Sequence, residues 1–349
     1  MYDWANSAFM ATVVTAVFPI YFASVAAAEL EPASASFLFA VTTFVALLAV
    51  ALLSPFLGAL ADVAGVKKKM LAACVALGVV ATACMVLIER GEWLLASILF
   101  AVANVGLTAS LVFSDSLLPH IASGTEMDRV STAGYAVGYL GGGLLLLINL
   151  AWIQNPELFR LGDSGFASRI SFLSVAIWWF GFSIPLFRTV PEPARSAMGD
   201  ERAGGGLIRA SFSQLTNTFI ALRGYRQACL MLLAFLIYND GIGTIIRMAT
   251  TFGTEIGLAQ GDLITAIVIV QFIGVPFAFL FGQLAGKIGA KQAILVSLAV
   301  YVVISALAYR MTTSTEFYVL ASLVGMVQGG SQALSRSLFA CMVPRHKSA

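Results

Sequence analysis

The sequence predicts an all-α polytopic membrane protein made of two related helix bundles, the second shorter than the first. Three observations predict it. Of 349 residues, 59% are hydrophobic and only 11% are charged, where a water-soluble domain carries roughly 25% charged residues. Apolar runs near or above the ~18 residues that cross a bilayer recur along the chain. A short polar hairpin between such runs appears twice, as Gly58-Ala-Leu-Ala-Asp-Val-Ala-Gly-Val-Lys-Lys-Lys69 and as Gly282-Gln-Leu-Ala-Gly-Lys-Ile-Gly-Ala-Lys291. Gly58, Leu60, Ala61, Gly65 and Lys67 correspond to Gly282, Leu284, Ala285, Gly289 and Lys291 at one offset (282 − 58 = 224). One hairpin used twice at fixed spacing implies a duplicated bundle.

Taken in order, the apolar runs place spans at 3–28, 36–60, 70–88, 93–117, 130–153 and 170–187, then at 228–252, 263–282, 293–309 and 317–339. Lys and Arg orient them, because basic residues accumulate in cytoplasmic loops. With the amino terminus inside, the inner loops hold Lys67, Lys68, Lys69, Arg129, Arg188, Arg195, Arg202, Arg209, Arg223, Arg226, Lys287, Lys291, Arg345 and Lys347. The outer loops hold Arg90, Arg160, Arg169 and Arg310. The bias predicts a cytoplasmic amino terminus.

Residues 188–227 form the long inner connection. Pro191 and Pro193 end the sixth span, and Gly204, Gly205 and Gly206 give a flexible hinge. Beyond it Ile208, Phe212, Leu215, Phe219 and Leu222 recur at helical spacing. That pattern suits an amphipathic helix on the inner membrane surface, or equally one packed beneath the bundle. The chain then divides into a six-helix bundle at 1–187, a linker at 188–227 and four spans at 228–349. Shifting the fifth span by the repeat offset places its counterpart at 354 (130 + 224), just beyond Ala349. The expectation is ten spans of a twelve-span architecture.

The hairpin Gly58-x-Leu-x-Asp62-x-x-Gly65-x-Lys67-Lys68 resembles the signature loop of the major facilitator superfamily, with Val63 and Val66 where basic residues are usual. Tyr2-Asp-Trp-Ala-Asn-Ser-Ala-Phe9 followed by Phe18-Pro-Ile-Tyr-Phe22 resembles the start of its UMF1 group, the vacuole effluxer (Atg22-like) transporters. Tyr238-Asn-Asp-Gly241 and Gln328-Gly-Gly-Ser-Gln-Ala-Leu-Ser-Arg336 are similar to that group as well. The resemblance implies a major facilitator fold, alternating access and, from fungal members, amino-acid efflux from a storage compartment. It implies that the first, fourth, seventh and tenth helices line a central cavity. It also implies that the signature loop leans on an eleventh helix. Gly58, Asp62, Gly65 and Lys67 would then control the inward-closed state, and Asp62 would lack its partner in the sequence as it stands.

A charge in hydrocarbon costs at least ~2.5–3.5 kcal/mol on insertion scales, so each polar residue inside a span needs a reason. Span one carries Asp3, Asn6 and Ser7. Span four carries Asn104, Thr108 and Asp115, on one helical face. Span seven carries Asn239, Asp240, Thr244 and Arg247, and span ten carries Gln328, Gln332 and Arg336. The other spans are almost free of such groups, apart from Gln271. We read Asp3, Asn6, Asn104, Thr108, Asn239, Asp240, Thr244, Arg247, Gln328 and Gln332 as candidate cavity and substrate residues, although backbone bonding or helix bridging explains several equally well. Asp115 and Arg336, near the inner ends of the two halves, are candidates for a charge-paired gate or for partners of the signature loops. Either Asp240 or Asp115 is a candidate for proton coupling.

Gly134, Gly138, Gly142 and Gly143 suit close helix packing in span five. They also resemble the superfamily antiporter motif, with Tyr139 where Pro is expected. Trp178 and Trp179 suit either sugar stacking or contact with lipid or a neighbouring helix. Cys74, Cys84, Cys229 and Cys341, with His120 and His346, lack metal-ligand spacing. No metal, cofactor or nucleic-acid partner is expected, and no nucleophile–base grouping suggests an enzyme. The reading is a monomeric secondary transporter for a small polar solute, most simply an amino acid, with protons as possible co-substrate. It would sit in the plasma membrane of a bacterium or the vacuolar membrane of a fungus. A drug or sugar exporter and a non-transporting membrane scaffold are the rivals.

Overall fold

A computed structural model describes residues 1–122, 126–192, 216 and 224–342. The described residues form ten long helices: α1 (Tyr2–Ala26), α2 (Pro32–Ala64), α3 (Lys67–Cys84), α4 (Trp93–Ile121), α5 (Met127–Gln154), α6 (Ser164–Thr189), α7 (Arg226–Glu255), α8 (Gln260–Ile288), α9 (Ala290–Ala308) and α10 (Ser314–Met342). Nine are long and apolar enough to cross a bilayer on composition alone. α10 has the length, 29 residues, but carries Glu316, Gln328, Gln332 and Arg336, so composition does not mark it as a span. The expected amphipathic helix, at 208–222, and its glycine hinge lie outside the described residues, apart from Thr216.

The helices gather into two cores. The first joins α1 to α6, with Ile264 and Ile267 of α8, around an aromatic centre of Phe9, Phe18, Phe22, Phe100, Phe172 and Trp179. Phe18 stacks on Phe100 at 4.6 Å, with ring planes 5° apart. Trp179 is fully buried over Gly78, where any side chain would collide with the indole. The second core joins α7 to α10 through Ile242, Phe281, Tyr301, Phe317 and Leu334.

Small residues set how closely the helices approach. The glycine run of α5 is where α1 lies: a Cβ on Gly142 would sit 2.8 Å from the Ser7 carbonyl, and one on Gly141 2.8 Å from the Trp4 carbonyl. α5 also forms the seam between bundles, packing along α8 and α10. There Tyr139 wedges into a notch cut by Gly274 of α8 and Gly329 of α10, where added methyls would meet its ring at 3.0 and 2.6 Å. The tyrosine ring would not fit between helices that carried larger residues at those two positions.

α1 is not a regular α-helix. Phe9–Ala16 and Phe22–Ala26 are wound as π-helix, a form that collects at functional sites. Thr15 Oγ1 donates to the carbonyl of Met10, 2.9 Å away and five residues back. Pro19 has no N–H to give the Thr15 carbonyl; that oxygen instead accepts a bond from Thr250 Oγ1 of α7, at 3.4 Å. A helix-breaking residue thus becomes a link between bundles, as membrane helices tolerate when a neighbour supplies the lost bond.

The repeated hairpin turns on a positive-φ glycine in both halves, although ψ differs. Gly65 ends α2 in the left-handed helical region at φ 64°, ψ 39°, which costs other residues roughly 1–2 kcal/mol, and its counterpart Gly289 ends α8 with an extended ψ, at φ 87°, ψ 149°. Asp62 was expected to be unpartnered. It instead pairs with Lys67 at 2.7 Å, both side chains nearly buried. The reason is local: the left-handed turn at Gly65 folds the first residue of α3 back over the last turn of α2. Lys68 extends the junction by donating its Nζ to the Val190 carbonyl at 2.6 Å.

The Trp179–Gly78 contact generates a direct expectation. Trp179→Ala should lower stability by about 3–5 kcal/mol, the usual cost of removing a large buried aromatic. The measurement is the unfolding midpoint of the purified protein in detergent. An unchanged midpoint would contradict the packing described here.

Candidate functional site

A cavity of about 490 Å³ opens at the seam between the two cores. Its wall comes from six helices: α1, α4, α5, α7, α8 and α10. Asp3, Asn6, Asn239, Gln328 and Gln332, all singled out in the sequence, lie on it, as do Asp115 and Arg336. Ser7, Thr15, Ser116, Tyr135, Tyr139, Gln271 and Ser335 are the other polar residues on it. Side chains scattered through the chain therefore converge, because each occupies the face of its helix turned towards the opposite bundle.

Four other cavity candidates, Asp240, Thr244, Asn104 and Thr108, do not reach this wall. Asp240 follows Asn239, and successive residues on a helix point about 100° apart; Asn239 takes the cavity side, and Asp240 is exposed elsewhere. Thr244 lies one turn beyond, returns its Oγ1 to the Asp240 carbonyl at 2.9 Å, and lines a second, mainly apolar cavity of about 480 Å³ among α7 to α10. The side chain of Arg247 lies outside the described residues. Asn104 and Thr108 share the α4 stripe that leads to Val112 and Asp115, but Asn104 is buried between the core residues Ala103 and Leu107 and accepts a bond from Thr108 Oγ1 at 3.3 Å. The cavity begins at Leu111, one turn further along. Gly58, Asp62, Gly65 and Lys67 also stand apart, at the α2–α3 junction.

The charged end of the cavity is organised by Arg336. Its Nη1 donates to Asp115 Oδ1 at 2.8 Å, its Nε to Ser131 Oγ at 3.0 Å and its Nη2 to the Ser131 carbonyl at 3.3 Å. The guanidinium lies over the Tyr135 ring, 4.9 Å from its centre. Asp3 Oδ1 stands 3.8 Å from Nη1. One side chain of the second bundle therefore holds α1, α4 and α5 of the first. Ser131 strengthens the joint by donating its Oγ to the Ala333 carbonyl at 2.9 Å.

Sequence reasoning missed Ser131, Tyr135 and Tyr139 as site residues. They step by four along one face of α5, a visible signal that the glycine run on the same helix masked. The two tryptophans do not face the cavity: Trp178 stacks on Trp4 at 5.6 Å and donates its Nε1 to the Trp4 carbonyl at 3.2 Å, and Trp179 is in the first core. Among the described residues no cluster of His, Cys, Asp and Glu has metal-site geometry.

Comparison with known proteins agrees with this architecture. Residues 25–349 match the family model described as "Vacuole effluxer Atg22 like". An "Uncharacterized MFS-type transporter YxiO" of Bacillus subtilis is 36% identical over 99% of this chain and 80% of its own length. "Autophagy-related protein 22-1" of Penicillium rubens is 25% identical over 62% of this chain, which spans only 39% of that longer protein. Among solved structures, the xylose transporter XylE of E. coli in a partially occluded inward-open conformation superposes with a TM-score of 0.55 at 15% identity, covering 98% of this chain and 84% of that one. At that identity the likeness speaks for the fold alone. The chain belongs to the vacuole effluxer Atg22-like family, within the major facilitator superfamily of transporters.

Proposed function

We propose that the chain moves a small polar solute, most simply an amino acid, by alternating access through the seam cavity. The observation that carries this reading is the composition of the wall. Five carboxamides, Asn6, Asn239, Gln271, Gln328 and Gln332, surround the space, and three charged side chains gather at one end. Carboxamides both donate and accept, so they suit a solute rich in hydrogen-bonding groups. Trp178 and Trp179, the pair that suggested sugar stacking, lie off this wall, and a non-transporting scaffold gives no reason for a polar cavity between two bundles.

In this proposal the Asp115–Arg336 pair, with Asp3 alongside, is the latch at the cytoplasmic ends of the bundles. It closes when α10 approaches α4 and α5, and opens when the bundles rock about the Tyr139 notch. Asp115 takes the proton-coupling role, because Asp240 stands off the cavity wall. The Lys and Arg bias supports a cytoplasmic amino terminus, and the repeated hairpin supports a division into 1–187, a linker at 188–227 and 228–349. Efflux is the direction favoured by the family description.

Counterflow of labelled amino acids into proteoliposomes tests the solute class. Uptake above that of empty liposomes for at least one amino acid is expected, with sugars and hydrophobic drugs inactive; the opposite pattern would replace the amino-acid reading. Asp115→Asn should lower transport roughly tenfold or more, since a charge-assisted bond contributes about 1.5–3 kcal/mol. It should also abolish stimulation by a pH gradient, and retained stimulation would remove Asp115 from coupling.

Arg336→Gln should destabilise the protein by up to about 3 kcal/mol. Stranding a carboxylate in a fully dry site costs more, but the Asp115 side chain is 41% exposed to the cavity. Adding Asp115→Asn should recover part of that loss in a detergent melt. Strictly additive losses would show that the two side chains are not coupled.

A further inference from the structure

Arg336 and Asp3 both lie on the cavity wall as a loose ion pair, yet only Arg336 is hydrogen-bonded. Each nitrogen of the Arg336 guanidinium has a donor bond, to Asp115 or Ser131, and its face lies on Tyr135. An incoming carboxylate would have to displace one of these partners. Asp3 is different. Its nearest cation is 3.8 Å away, beyond the range of a good hydrogen bond, and among the described residues no hydrogen bond reaches its carboxylate. Its side chain is 25% exposed, open to the cavity. Gly134 makes room for it, since any Cβ there would run into Asp3 Oδ2.

A second observation points to a ligand at the same place. Asn6, one turn along α1 and 5% exposed, has a side-chain nitrogen with no hydrogen-bond partner. The Tyr139 hydroxyl and Gln271 Oε1, on the same cavity wall, are also buried without partners. Buried polar groups are normally bonded, and exceptions ask for an explanation. The charges agree. Among the described lining residues, Asp3 and Asp115 face the single cation Arg336, which leaves one negative charge uncompensated.

We propose that Asp3 receives the protonated amine of the transported solute, and that Arg336 does not bind the solute's carboxylate. This deepens the reading of the cavity as the solute site and rests on it. The site then recognises an amine-bearing molecule with hydrogen-bonding groups for Asn6, Tyr139 and Gln271. A carboxylate on that molecule is tolerated by the carboxamides and is not required.

The test is binding to the purified full chain at pH 7, read by thermal shift and by tryptophan fluorescence. The probes form two matched sets: L-phenylalanine, phenethylamine and hydrocinnamate; L-leucine, isopentylamine and isocaproate. In each set the amino acid and the amine should bind within roughly tenfold of each other, and the acid lacking the amine should bind roughly ten- to a hundredfold more weakly, the range of one charge-assisted bond. Asp3→Asn should erase the preference for amine over acid. Asp3→Glu should restore part of it, which a merely structural role for Asp3 would not do. Gly134→Ala, which moves the carboxylate and keeps its charge, should weaken the amines selectively and leave the acids unaffected.

The proposal is overturned if the acids bind as tightly as the amines, or if no amine binds. It is also overturned if Asp3→Asn lowers binding of amine and acid alike, the result expected of a proton site. The wider reading fails separately. If amines bind and are carried while every amino acid fails in counterflow, the amino-acid substrate is wrong and the Asp3 assignment stands. If amino acids are carried with no amine preference, the reverse holds.

Discussion

A guanidinium cannot be left alone in hydrocarbon, and in this structure that constraint falls on Arg336. Every partner it has lies across the seam, on α1, α4 or α5. The second bundle can place α10 in the membrane only by presenting Arg336 to the first bundle or to water. The helix is too polar to be marked as a span by composition, so its position depends on what it faces. The cavity is a consequence: once Arg336, Gln328 and Gln332 need a polar environment, the matching faces of α1, α4 and α7 provide it.

The seam is held at three depths by different means. Arg336 and Ser131 join the bundles by charge and hydrogen bond. Tyr139 fills the Gly274–Gly329 notch by shape alone. Thr250 reaches the carbonyl that Pro19 leaves free. The first of these contacts can be broken by a change of charge, whereas the second is a snug, apolar fit about which helices can tilt. α1 runs past all three levels and changes from α to π winding at Phe9, between Asn6 and Thr15.

Much of this was legible in the sequence, for physical reasons that differ from part to part. The ten helices were readable because bilayer thickness fixes their length. Gly65 and Gly289 were readable as paired turns because a positive φ excludes most other residues. Polar faces on α1, α4, α7 and α10 were readable because hydrocarbon punishes stray polar groups. The choice between neighbours was not. Asn239 and Asp240 are equally polar on paper, and only the rotation of α7 about its axis puts one in the cavity. Asn104 lies on the same stripe as Asp115, yet the cavity ends before reaching it, since its depth depends on how other helices close over α4. The Asp62–Lys67 pair escaped because the resemblance pointed to a distant partner where the turn geometry supplies a near one. Ser131 and Tyr135 escaped because their roles exist only once Arg336 arrives from another helix.

The central claim is that residues from both bundles share one water-accessible space. Thiol labelling tests it most directly. With Cys74, Cys84, Cys229 and Cys341 replaced, single cysteines are placed by Ser7→Cys, Asn239→Cys, Gln332→Cys and Asn104→Cys, and each protein is treated with a membrane-impermeant methanethiosulfonate. The account predicts rapid labelling at the first three positions and little at Asn104. Labelling at Asn104 with protection at the other three would contradict it.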